Sequence, residues 1–157
     1  MGMPSSYNTC LDQYMKEALL EAKKALSRDE VPIGAIVVDS EGAIIGRGHN
    51  LVENYNQQSR HAEVIAIEHA CTTINDWRLL GCSLYVTLEP CEMCMSLTEL
   101  SRVAVVIYGS ASPLFGFRLD KEGKIPLYKK HTPKIISGIC KEEAATLLTE
   151  FFKEKRK

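Results

Sequence analysis

The sequence predicts a layered α/β domain, with helices on both faces of a sheet. Strand-length apolar runs alternate with longer stretches of helical periodicity, and neither an internal repeat nor a linker interrupts them. A length of 157 residues suits one compact domain, taken as 1–157.

The elements follow in order. Leu11, Tyr14, Met15, Ala18, Leu19, Ala22 and Leu26 recur at helical spacing with Lys and Glu between them, which predicts an amphipathic first helix. Val31 to Val38 reads as a strand, with Pro32 suited to a strand start or an edge. Asp39-Ser40-Glu41-Gly42 is turn chemistry, so Ala43 to Gly48 returns as the second arm of a hairpin. Asn50 to Arg60 is polar and aperiodic, a loop. From His61 the pattern turns helical, with Val64, Ile65, Ile67, Ile74 and the small Ala66, Ala70 and Cys71 forming a broad buried face. Cys82 to Leu88 is a central-strand candidate, Cys91 to Leu100 a helix and Val103 to Tyr108 a further buried strand. Residues 109–131 are irregular, Ile135 and Ile136 suggest a short last strand, and Lys141 to Lys157 reads as a terminal helix.

The hydrophobic share of 45% and charged share of 25% are ordinary for a soluble globular protein. No apolar stretch is long enough to span a bilayer, and the polar first residues do not read as a secretion signal. A cytoplasmic location and no membrane partner are expected. The net charge of −1 argues against broad, nonspecific nucleic-acid binding, while leaving room for a local basic patch. Without an export signal, six cysteines point to metal binding or burial rather than disulfides. Cys10, Cys71, Cys82 and Cys140 are taken as small buried hydrophobes.

Cys91 and Cys94 differ. The spacing C-x-x-C at a helix start puts two sulfurs one turn apart on one side, where backbone dipoles favour the thiolate that binds metal. Zinc takes about four tetrahedral ligands, and a catalytic site keeps one position for water. His61 opens the other helix and supplies a third protein ligand. Glu63, two residues on, stands beside the metal rather than on it and serves as the proton carrier. Neither a redox dithiol nor half of a structural zinc site accounts for these residues as well. Glu92 and Met93 are not thioredoxin-like neighbours, and no second C-x-x-C completes four ligands. The two-part pattern His61-Ala62-Glu63 with Pro90-Cys91-Glu92-Met93-Cys94 is the zinc-deaminase signature.

With these motifs the chain resembles the cytidine deaminase superfamily and, within it, the bacterial tRNA-specific adenosine deaminases, the TadA group. The resemblance extends through Glu30-Val31-Pro32-Ile33-Gly34-Ala35, Gly48-His49-Asn50, Asn75-Asp76-Trp77-Arg78-Leu79, Tyr85 to Cys91 and the Ser137-Gly138-Ile139 ending. It implies a three-layer α/β/α fold with a five-stranded mixed sheet, a homodimer and one zinc per subunit. It also implies conversion of adenosine to inosine at the wobble position of a tRNA anticodon loop. By position, His61, Cys91 and Cys94 would hold the metal and Glu63 would shuttle protons. Asn50 would hydrogen-bond the nucleotide, the Ala62 backbone would contact the base, and Val31 would line the pocket wall.

Two segments depart from that pattern. Gln57-Gln58-Ser59-Arg60 stands where the family has Asp-Pro-Thr-Ala. Ser110-Ala111-Ser112-Pro113-Leu114-Phe115-Gly116-Phe117 replaces the charged Ala-Arg-Asp-x-Lys-x-Gly-Ala loop that touches tRNA. A deaminase of a free base or nucleoside, of the guanine or cytosine type, is therefore the alternative, and a non-enzymatic zinc-binding partner protein the third reading. Phe115 and Phe117 are expected in packing or dimer contacts, Trp77 in the core, and His69 at the surface or as a satisfied polar group. His49 and His131 carry no motif. The terminal Lys153-Glu154-Lys155-Arg156-Lys157 reads as a solvated helix end, with phosphate contact the alternative.

Overall fold

The computed structural model describes residues 5–117 and 132–157. The elements are α1 (Ser5–Ser27), β1 (Gly34–Val38), β2 (Ile44–His49), α2 (Val52–Tyr55), α3 (Ala62–Ile74), β3 (Ser83–Leu88), α4 (Glu92–Leu100), β4 (Val105–Ser110), β5 (Lys134–Ser137) and α5 (Lys141–Lys155). The sheet runs β2-β1-β3-β4-β5, antiparallel through β1 and parallel from β3 to β5. This is the mixed five-stranded sheet expected, with helices on both faces.

Alternation along the strands splits the core in two. Ala35, Val37, Leu84, Val86 and Tyr108 face Ala62, Ala66, Ile67 and Ala70 of α3. Ile36, Val38, Tyr85, Ile107 and Ile136 face Leu11, Met15 and Ala18 of α1. Asp39 makes the β1–β2 turn by accepting the Glu41 and Ala43 amides at 2.9 Å each. On β2, Gly46 and Gly48 let α3 rest on the strand backbone. A methyl at Gly48 would overlap the Ala62 carbonyl, and one at Gly46 the Ala66 carbonyl. Ala62, Ala66 and Ala70, four residues apart, are the helix side of that contact.

Several expectations change. The first strand begins at Gly34 rather than Val31, and the 50–60 loop contains the one-turn helix α2, which has no buried residue to signal it. Trp77 is not core: it is 58% exposed past the end of α3, with the guanidinium groups of Arg78 and Arg102 at 5.4 and 5.8 Å from its ring. Ile74 and Leu26 lie at the rim, Cys10 is exposed, and Cys71 and Cys140 are only half-buried; Cys82 is buried as read. His69 accepts the Arg47 amide at 3.0 Å. His131, and the irregular segment from residue 118 on, lie outside the described residues. Among the described residues no helix is long and apolar enough to cross a membrane.

Candidate active site

Topology brings the candidate residues to one end of the sheet. β3 and β4 both run toward that end, and β1, antiparallel to β3, starts there. β2, antiparallel to β1, finishes there. Val31 before β1, Asn50 after β2, Cys91 after β3 and residues 111–117 after β4 are therefore neighbours. Carboxyl ends of strands are where open α/β sheets place ligands.

His61 is the residue preceding α3 and Cys91 the residue preceding α4, both with extended backbone (φ −75°, ψ 151° and φ −74°, ψ 173°). Such positions normally carry Ser, Thr, Asp or Asn, whose oxygen caps the helix amides. Here neither side chain caps its helix; they turn toward each other. The Nδ1 of His61 lies 3.6 Å from the Sγ of Cys91 and 3.5 Å from that of Cys94. Among the described residues this trio is the one cluster of metal-binding side chains, its ligand atoms all within 4.8 Å of one another. Tetrahedral zinc, at about 2.3 Å from sulfur and 2.05 Å from nitrogen, would separate such atoms by about 3.6 Å. The donor set and its spacing fit zinc.

The electrostatics agree. The hydrogen bond from the Cys94 thiol pulls Cys91 down to about 4 against the effect of burial, with His61 adding to the drop. Cys94 is pushed up by that same bond, by burial and by Glu63. His61 is raised by its bond with Cys91, burial opposing, and by the charge of Glu63. The pair thus sheds one proton readily, the state a cation attracts.

Glu63, on the first turn of α3, is 4% exposed, with Oε2 at 3.2 Å from the Cys94 Sγ. Burial raises its carboxyl above the usual range. It lies beside that trio without belonging to it, a placement that suits a proton carrier.

Asn50 is buried, its amide donating to the Ile33 carbonyl at 3.1 Å and its Nδ2 to the Val31 carbonyl at 3.5 Å. Ala62 is buried under Gly48. Val31 lines an open groove of about 650 Å³ with Arg28, Asp29, Asn54, Phe152 and Lys155, a groove whose lining does not include His61, Glu63, Cys91 or Cys94. Lys155 there pairs with Asp29 at 2.6 Å.

Two carboxylates at this end escaped the sequence reading. Glu30 is buried before Val31, and Glu89 is buried before Pro90-Cys91. The Oε1 of Glu89 accepts the Ser112 amide at 3.2 Å, and the Phe117 amide donates to the Pro90 carbonyl at 2.9 Å. Residues 111–117 are thereby strapped to the start of α4. Phe117 is half-buried against the core, whereas Leu114 and Phe115 are 76% and 75% exposed. Adjacency to the motifs was the only signal these glutamates gave.

Residues 8–110 match the model of the cytidine and deoxycytidylate deaminase zinc-binding region. The chain is 44% identical over 149 residues to a tRNA-specific adenosine deaminase of Bacillus subtilis (strain 168), covering 92% of this chain and 89% of the relative. It is 41% identical over 153 residues to one of Aquifex aeolicus (strain VF5), covering 92% and 95%. A structure solved in work on A-to-I editing by tRNA:A34 deaminases at the wobble position of transfer RNA superimposes with a TM-score of 0.80 at 37% identity, over 87% of this chain and 99% of that one. Family model, relatives and fold agree with the metal cluster and its buried carboxylate: the chain belongs to the cytidine and deoxycytidylate deaminase family, among the tRNA-specific adenosine deaminases.

Proposed function

We propose that this protein hydrolyses adenosine to inosine at the wobble position of a tRNA anticodon, with one zinc per subunit held by His61, Cys91 and Cys94. The observation that supports this most is the buried Glu63 beside a trio spaced for tetrahedral zinc. Bound there, zinc would supply the Lewis acidity that makes water nucleophilic near neutral pH. Glu63 would take a proton from that water at its carboxylate oxygen and pass it to the purine and its departing amine. The balance is water and adenosine in, inosine and ammonia out. Its raised affinity for protons suits both halves of the transfer. Asn50 and Val31 would orient the base and the Ala62 backbone would contact it. An anticodon loop offers such a base unpaired, which lowers the cost of extruding it. A cytoplasmic location accords with such a substrate.

Association as a homodimer is part of the same reading. Met93 and Leu100 on α4, with Leu114 and Phe115, are apolar side chains a lone subunit exposes, and a second copy would cover them.

The test is a zinc-loaded assay on an anticodon stem-loop with adenosine at the wobble position, run beside adenosine, guanine and cytosine and scored for inosine and ammonia. Inosine in the stem-loop is expected. Ammonia from a free base with an unchanged stem-loop would sink the tRNA assignment in favour of a small substrate.

A further inference from the structure

Glu30 is fully buried, yet among the described residues it has no cationic hydrogen-bond partner and its Oε2 has no hydrogen-bond partner. Its other oxygen does two things. The Oε1 accepts the backbone amide of Asn54 and the Asn54 Nδ2, each at 2.6 Å. The same Nδ2 also donates to the Arg28 carbonyl at 3.3 Å. Glu30 is itself held to the end of α1 by its amide, which donates to the Ala25 carbonyl at 3.0 Å, after Asp29 turns the chain inward with φ 59°.

These bonds join two segments whose neighbouring residues are Val31 and Asn50. The Asn50 bonds to the Ile33 and Val31 carbonyls continue the seam toward the metal trio. A clamp wanted only for stability has no use for a buried carboxyl group with an idle oxygen, since a buried polar oxygen lacking a partner is a penalty to the fold. A carboxylate does make shorter, stronger bonds to amides than a neutral oxygen does. The expense is explained if what is being secured is the position of the seam.

We propose that Glu30 is a positioning residue for deamination: its carboxyl group fixes α2 against the end of α1, and so sets the placement of the bonded pair Val31 and Asn50 beside the nucleobase slot. This rests on the reading of Val31 and Asn50 as slot residues. The conservative variant separates position from stability. Glu30→Gln keeps an acceptor for Asn54 and replaces the second carboxyl oxygen with an amide nitrogen.

The expected result is a melting temperature equal to or above wild type and full zinc content, with KM for the wild-type substrate raised about tenfold and kcat changed far less. Asn54→Ala, which keeps only the backbone bond, should raise KM likewise, and the double variant should be no worse than the poorer single. Hydrogen exchange at the Asn54 amide reads the clamp without turnover, and it should quicken in Glu30→Gln. An unchanged KM with quickened exchange overturns the positioning role while leaving the clamp. A lower melting temperature, with kcat and KM impaired in step and no non-additivity, makes Glu30 merely structural. Kinetics are measured on whichever substrate the parallel assay shows wild type to use, so failure of the tRNA assignment is seen separately.

Discussion

Two loops close on the metal-binding end of the sheet, and each is fastened by a buried glutamate accepting a backbone amide. Glu30 holds the 50–60 loop through Asn54, and Glu89 holds residues 111–117 through Ser112. The fastening is alike but the exposed content is not. The first loop leads from Asn50, which is buried, to His61, and its exposed residues 53–59 are polar apart from Tyr55. The second carries Leu114 and Phe115 at a tip open to solvent. Both loops present a surface, the first a polar one and the second an apolar one. The same device fixes two edges of different chemistry, one polar and one apolar, around a common floor at the end of the sheet.

The variants that test this contrast range from the floor to the edge. Glu63→Ala should cut turnover by about 10² to 10⁴ while keeping zinc and the melting temperature, checked by metal analysis and thermal denaturation. Comparable activity would mean that the floor does not contain the proton carrier. Glu89→Ala strands the buried Ser112 amide and should cost about 1–3 kcal/mol in denaturant unfolding, with the 111–117 amides exchanging faster than those of 50–60. Equal acceleration in both loops would show that they are one unit. Phe115→Ala should leave stability within about 0.5 kcal/mol. By analytical ultracentrifugation it should weaken the proposed dimer roughly fivefold or more.

The smallest effect belongs to Glu21, a buried carboxylate of α1 that bonds His49 at the end of β2. Burial alone would raise Glu21, but its bonds with Lys24 and His49 outweigh it and hold the carboxyl below its ordinary 4.5. Its folded form therefore favours the charge. The stabilisation is complete above pH 4.5 and declines as pH falls toward the depressed folded value. Melting temperatures across the acid range should fall less steeply in Glu21→Gln. Parallel curves would remove Glu21 from the acid response.

The metal site was legible because its chemistry is local: a histidine and a cysteine opening two helices, a second cysteine one turn on and a glutamate beside them. The layered fold followed from alternating periodicities, and the Gly-rich β2 from nothing more than strand pattern. Trp77 was misplaced because an aromatic side chain reads as core, and sequence alone does not show two arginines packing on it in a loop. The helix α2, four residues long, is too short to have a period. Glu21, Glu30 and Glu89 were missed for a common reason. Carboxylates read as surface by type, and what satisfies these three once buried includes amide and ionic partners distant in sequence.

The glycines of β2 have a consequence for how the chain finds its pairing. β2 is an edge strand, the kind free to slide along its one neighbour. A slip of one residue would turn Gly46 and Gly48 to the other face and drive Arg47 and His49 under α3. The helix could not then settle, and His61 could not meet the cysteines. Seating α3 thus acts as a proofreading step for the edge of the sheet: a mispaired hairpin forfeits the helix and, with it, the capacity to hold metal.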